Sequence, residues 1–146
     1  SFNFFSHTYR INFYDVSGMV GYEKLYDQYL MNATSTVVVY DITKYKTFIR
    51  AKEIMNRVYT IHSDDFPVIL IGNKKDAIPK RRVPMKEALN YTKSLGNVFF
   101  VECSALEGTN VQEAFKMLVA ESSRGTNFVQ RSVNNESSEG INCKIM

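Results

Sequence analysis

The chain has 146 residues, 45% of them hydrophobic and 23% charged, which suits one globular domain able to bury a substantial core. A formal net charge of +3 is mild, and no long basic stripe appears, so the composition argues against a nucleic-acid partner. The run Lys80-Arg81-Arg82 reads as a solvated loop. Two cysteines, Cys103 and Cys143, make no disulfide framework and favour a reducing, intracellular setting. No apolar run approaches the roughly 18 residues that would span a bilayer, and no signal-peptide-like region follows Ser1.

Phe2–Phe5 and Tyr9–Tyr14 are aromatic and β-branched segments around Ser6-His7-Thr8, which predicts a hairpin with His7 in its turn. The second strand runs into Asp15-Val16-Ser17-Gly18. A helix is predicted over Tyr22–Asn32, where Leu25 and Tyr29 share a face. Ser35–Tyr40 (STVVVY) reads as a buried strand, and Lys46–His62 as an amphipathic helix with Phe48, Ala51, Met55 and Val58 on its apolar side. His62 near its end is explained by the helix dipole. Val68–Ile71 is a second buried strand, ended by Gly72. Pro84 and Gly96 punctuate another helix, NVFFVE (Asn97–Glu102) is a strand, and Asn110 with Glu113 resembles a capping box before a last helix. From Ser122 the composition turns to Ser, Asn, Glu and Gly, which predicts a flexible tail. Strands alternating with helices predict an α/β fold in three layers, a mostly parallel sheet with helices on both faces.

The most informative stretch is FPVILIGNKKD, residues 66–76. Asn73-Lys74-Lys75-Asp76 falls where the chain leaves the carboxyl end of a covered strand, the edge where open α/β sheets bind ligands. Guanine presents two donors side by side, N1–H and the N2 amino group. An ionised carboxylate accepts both, so Asp76 fits that edge and repels adenine's N1 acceptor. A buried site of this kind rejects an analogue lacking the edge by roughly 10⁴ or more. The stem of Lys74 suits the base face, and the Asn73 amide suits a tie between neighbouring loops.

The tetrad N-K-x-D resembles the guanine-recognition motif of the Ras-type small GTPases. Two further segments match in order. Asp15-Val16-Ser17-Gly18 looks like the family's D-x-x-G element. Glu102, Ser104 and Ala105 match its E-T-S-A-K loop, from which Cys103 and Leu106 depart. The resemblance implies a P-loop-NTPase-type G domain over residues 1–121, followed by a hypervariable tail over 122–146. It also implies GTP/GDP and Mg²⁺ as ligands. Asn73, Lys74, Asp76, Ser104, Ala105 and Leu106 would lie at the base, with the Ala105 N–H meeting the guanine O6. Asp15 would hold the metal through a water, and Gly18 would offer its N–H to the terminal phosphate. Asp27-Gln28-Tyr29 is closer to Ras than to Rab.

No G-x-x-x-x-G-K-[ST] occurs in the sequence, and the first switch has no match. The resemblance thus implies a chain beginning at the family's second strand. The first strand would lie between Tyr9–Tyr14 and Ser35–Tyr40; without it these two should keep unpaired edges or close on each other. Met19 occupies the position of the glutamine that orients the attacking water, which implies slow hydrolysis. Cys143-Lys144-Ile145-Met146 resembles a C-a-a-X box, implying farnesylation of Cys143 and residence at the cytoplasmic face of a membrane, the plasma membrane first. Effector, exchange-factor and GTPase-activating proteins are the implied partners of a guanine-nucleotide switch. The competing reading is a non-hydrolysing pseudo-GTPase acting as an interaction module.

Overall fold

Two apolar runs form the middle of the sheet because both of their faces are covered. The computed structural model describes residues 2–4, 7–9, 11–17, 21, 23–96, 98–125 and 141–145. Strand β4 (Ser35–Asp41) and strand β5 (Val68–Asn73) pair in parallel, from Thr36 opposite Val68 to Asp41 opposite Asn73. Strand β6 (Val98–Glu102) continues the sheet beyond β5, with Glu102 opposite Gly72. On the other side of β4 come β7 (Ile141–Ile145) and then β3 (Ile11–Asp15), giving the order β3-β7-β4-β5-β6. Every pairing in this sheet is parallel, so all five carboxyl ends open on one edge.

Alternation along the strands divides the core in two. Val38, Tyr40, Val68 and Leu70 face helix α2 (Tyr45–Ile61), which buries Phe48, Ala51, Ile54, Met55 and Val58 against them. Helix α1 (Glu23–Leu30) adds Leu30 to this cluster, and helix α3 (Met85–Ser94) adds Ala88. Val37, Ile69 and Ile71 face the other way, onto Ala114 and Leu118 of helix α4 (Val111–Gly125). Each fully buried Val, Leu or Ile side chain contributes about 1.5–3 kcal/mol relative to an exposed one. The expected three-layer α/β fold is the one observed.

Several local expectations are corrected. The hairpin is formed by β1 (Phe2–Phe4) and β2 (His7–Tyr9), with Phe4 opposite His7, so His7 is a strand residue. The segment Tyr9–Tyr14 is split, and its second part is β3 in the main sheet. Gly72 does not end its strand but lies within β5. His62 follows α2 in an extended conformation; its Nε2–H donates to the Leu30 carbonyl (2.7 Å), and its ring stacks on Phe66. That contact ties α1 to the end of α2 and replaces the dipole explanation.

The largest difference concerns the tail. Helix α4 runs to Gly125, past the expected boundary at Ser122. Ile141–Ile145 then lies between β3 and β4, where the resemblance left a gap. It pairs with β3 from Ile11–Ile141 to Asp15–Ile145, and with β4 at Ser35–Cys143, Thr36–Lys144 and Val37–Ile145. The two strands expected to stand unpaired, or to close on each other, therefore share a neighbour. Unpaired backbone groups inside a sheet are costly, and INCKI alternates apolar and polar residues as a strand does.

Gly72 has a steric reason to be glycine. A Cβ there would stand 2.9 Å from the Tyr40 hydroxyl and 3.1 Å from Ile42 Cγ2. Tyr40 is 2% exposed and its ring rests on Phe48, so it has nowhere to retreat. Gly72→Ala is expected to cost about 1–3 kcal/mol. A lowered urea midpoint at unchanged slope reads this cost; an unchanged midpoint contradicts the packing described.

Candidate functional site

The loop after β5 is built around a residue in an unusual conformation. Lys74 has φ +70°, in the left-handed region that favours glycine, and the chain then enters a 3-10 turn over Lys75–Lys80. For a side chain other than Gly, Asn or Asp this costs about 1–2 kcal/mol, so neighbours must hold it. Lys75 N–H donates to the Cys103 carbonyl (2.9 Å), and Cys103 N–H donates to the Gly72 carbonyl (2.9 Å). The Lys74 ammonium reaches Asp41 Oδ2 at 2.7 Å. Asp41 Oδ1 accepts from both the backbone N–H and the hydroxyl of Thr43 (2.8 and 2.6 Å).

The loops after β5 and β6 are joined by the residues singled out in the sequence. The Ser104 hydroxyl donates to Asp76 Oδ1 (2.6 Å) and accepts from the Glu107 N–H (3.1 Å). Asn73 Oδ1 accepts from the Ala105 N–H (3.0 Å). Asp76 thus keeps most of its lone pairs uncommitted, since a carboxylate has about four acceptor positions. The Ala105 N–H, expected to face the base oxygen, is engaged by Asn73 in this arrangement. A ligand oxygen at that point has to share the N–H or draw it away. Leu106, at 84% exposed, stands at the rim.

Asp15 is the last residue of β3 and shares the same edge. Three strand spacings separate β3 from β5, about 14 Å, so Asp15 belongs to the far end of any site rather than to the Asn73–Asp76 loop. Gly18 and Met19 lie outside the described residues. No cluster of three or more His, Cys, Asp or Glu side chains that could hold a metal occurs among the described residues. Asp15 by itself supplies one hard oxygen donor. That fits a magnesium ion only if water and phosphate oxygens supply the rest, which is the habit of that ion.

Three supporting residues escaped the sequence reading. Arg81, taken for part of a solvated run, makes a two-pronged bond to Glu102 (2.6 and 2.7 Å) and also donates to the Val83 carbonyl (3.2 Å). Hydrogen bonding to Glu102 raises the Arg81 pKa further, against the lesser effect of burial. Asn110 is not a capping residue in the expected sense. It adopts φ +59° and donates its side-chain amide to the Glu102 carbonyl (2.8 Å), anchoring the loop that carries Ser104. Asp41 is the third. Partial burial opposes its ionisation, but hydrogen bonds from Lys74 and Thr43 outweigh this and hold its carboxyl below the ordinary value.

A model of the Ras family matches residues 1–124. The chain belongs to the Ras family. Among its relatives is the Ras-related protein Rab11A of Lotus japonicus, 34% identical over 114 residues that make up 78% of this chain and 50% of that protein. This Ras-family chain therefore spans about half the length of that curated relative. The family match covers the whole main sheet except β7. No helix among the described residues is long and apolar enough to cross a membrane.

Two outcomes test these supports. Arg81→Ala leaves the Glu102 carboxylate, whose side chain is 5% exposed, without its partner. The expected loss is about 3 kcal/mol, at the lower end for a broken buried pair because Arg81 is partly exposed. Chemical denaturation measures it, and a loss under about 0.5 kcal/mol contradicts the buried pairing. Asp41 has a depressed folded pKa, so its contribution is present above its unfolded value of 3.8 and fades as pH falls through the lower folded value. The stability difference between the parent and Asp41→Asn is therefore expected to be constant near neutrality and to shrink below pH 3.8. A difference that grows on acidification contradicts the assignment.

Proposed function

We propose that this Ras-family chain is part of a guanine-nucleotide switch, with the base held by the loops after β5 and β6. The observation that carries the reading is the Asp76 carboxylate, fixed by the Ser104 hydroxyl at the carboxyl edge with acceptor positions to spare. In this reading Asp76 accepts the guanine N1–H and N2–H. The Lys74 stem lies along one face of the base while Asp41 holds its tip. Ala105 shares its N–H between Asn73 and the guanine O6, and Leu106 covers the rim. Asp15 holds Mg²⁺ through a water, and Gly18 donates its N–H to the terminal phosphate; when bound, the ion neutralises phosphate charge.

Residues 73–76 and 104–106 bind the base and not the phosphates, so residues 1–146 alone bind GTP or GDP weakly and turn over little. Met19 has no group to orient a water, so hydrolysis in a chain with a phosphate loop is slow. Effectors, exchange factors and GTPase-activating proteins are the expected partners. Asp27-Gln28-Tyr29 favours a Ras-like placement, whereas the kinship with Rab11A favours a Rab-like one. Wherever Met146 ends the mature chain, Cys143 is the acceptor for a farnesyl group and the protein works at the cytoplasmic face of a membrane. Detection of farnesyl at Cys143 by mass spectrometry, lost in Cys143→Ser, supports this last reading, and its absence from cell-derived protein ending at Met146 refutes it.

The base assignment is tested by NMR titration of the 146-residue chain with GDP and with ADP. GDP is expected to move the amide signals of Asn73–Asp76 and Ser104–Leu106, and ADP to leave them in place. Asp76→Asn is expected to abolish the preference. Equal responses to both nucleotides in the parent chain overturn the reading.

A further inference from the structure

The described cations divide into those answered by a carboxylate and those left to solvent. Arg50, Lys52, Arg57, Lys74 and Arg81 each pair with an acidic side chain. Lys44, Lys46, Lys80, Arg82 and Lys86 are exposed and make no ion pair among the described residues. The fold gathers this second group on one corner. The N–H groups of Arg82 and Val83 both donate to the Ile42 carbonyl (2.8 and 3.0 Å), which sets residues 80–83 beside the turn that opens α2. The Tyr45 hydroxyl donates to Glu87, tying the first residue of α2 to the first turn of α3. The carboxylates carried there are already engaged, Asp41 by Lys74 and Thr43, and Glu87 by Tyr45 and Lys52. α2 has no acidic residue in its first turn, so the positive end of its dipole adds to Lys44 and Lys46. Like charges gathered without a counter-charge repel one another and oppose the compact state, so the stability of this chain gives no reason for the arrangement. Large apolar side chains stand in the same segments: Tyr45, Ile78 and Met85 are 40%, 53% and 48% exposed.

We propose that this corner, built from the start of α2, residues 78–82 and the start of α3, docks on an anionic lipid surface. The counter-charge missing from the chain is then supplied by phosphate and carboxylate headgroups, each cation near such a surface being worth roughly fivefold in partitioning. Ile78, Met85 and the Tyr45 ring meet the boundary between headgroups and acyl chains, where apolar and aromatic tips among cations find their place. A fluid layer of headgroups demands no fixed geometry, which suits long side chains that no carboxylate holds. A polynucleotide would reward the cations but not the exposed isoleucine and methionine. The inference goes beyond the nucleotide reading and stands apart from lipid attachment at Cys143, since the surface acts in the unmodified chain.

The test is co-sedimentation of the unmodified 146-residue chain with vesicles of phosphatidylcholine alone and of phosphatidylcholine with about 30% phosphatidylserine. The chain is expected to partition onto the anionic vesicles, to ignore the neutral ones, and to come off as salt is raised. Lys44→Gln with Arg82→Gln is expected to lower the partition coefficient at least about tenfold. Lys93 and Lys116 are exposed on other parts of α3 and α4 and also lack an ion pair among the described residues. Lys93→Gln with Lys116→Gln removes the same charge and should leave binding nearly unchanged. Acetylation of the parent chain by a water-soluble reagent, read by peptide mapping, should slow at Lys44, Lys46, Lys80 and Lys86 on anionic vesicles but not at Lys93 or Lys116. Equal binding to both vesicle types, or binding to neither at low salt, overturns the proposal. A control pair as damaging as the corner pair also overturns it, because net charge would then suffice. Should a variant fail to fold, the acetylation pattern of the parent decides, and uniform slowing of all these lysines contradicts the docking.

Discussion

A strand in the middle of a parallel sheet has two rows of backbone groups to satisfy, and the placement of everything else in this protein follows from how β4 and β5 meet that demand. Their shared register sets Asp41 beside Asn73, so the ends of both strands emerge together. The same register sets Gly72 beside Glu102, which brings the third loop to the same edge. Once the strands are aligned, the polar loops have little freedom. The Lys75 N–H donates to the Cys103 carbonyl and the Cys103 N–H to the Gly72 carbonyl across the strand ends, and Arg81 returns to Glu102 to close the far side.

The site is therefore a property of the sheet rather than of the loops alone. Asp76 and Ser104 are 28 residues apart in sequence, yet their bond forms because β5 and β6 are neighbours. Lys74 tolerates a left-handed backbone because its tip is anchored by Asp41, itself held by Thr43. Such strain persists where surrounding bonds over-determine a conformation.

The covered strands were legible in the sequence because burial on both faces leaves an unbroken apolar run. The loops at their ends were legible because Asn73, Asp76, Ser104 and Ala105, which join them, stand at the spacing of a family motif. Long-range partners were not. Arg81 sits in a basic run that looks solvated, and only the fold brings Glu102 to it. Asn110 has the composition of a cap, but its backbone took the left-handed conformation and its amide turned to the Glu102 carbonyl. β7 was hidden by composition. The Ser-, Asn- and Glu-rich residues before it suggest a tail, and only the apolar alternation at 141, 143 and 145 signals a strand. Its role follows from a vacancy elsewhere in the sheet that no local pattern reports.

The central claim is that the carboxylate at the end of β5 distinguishes guanine from adenine within a site assembled by the sheet. A crystal structure of this chain with GDP tests that most directly. The account requires both Asp76 carboxylate oxygens, or one of them shared, within about 3 Å of the guanine N1 and N2. The Ser104 bond should be intact, with the base against the Lys74 stem. A guanine ring bound elsewhere, or bound here with Asp76 turned away from it, contradicts the account.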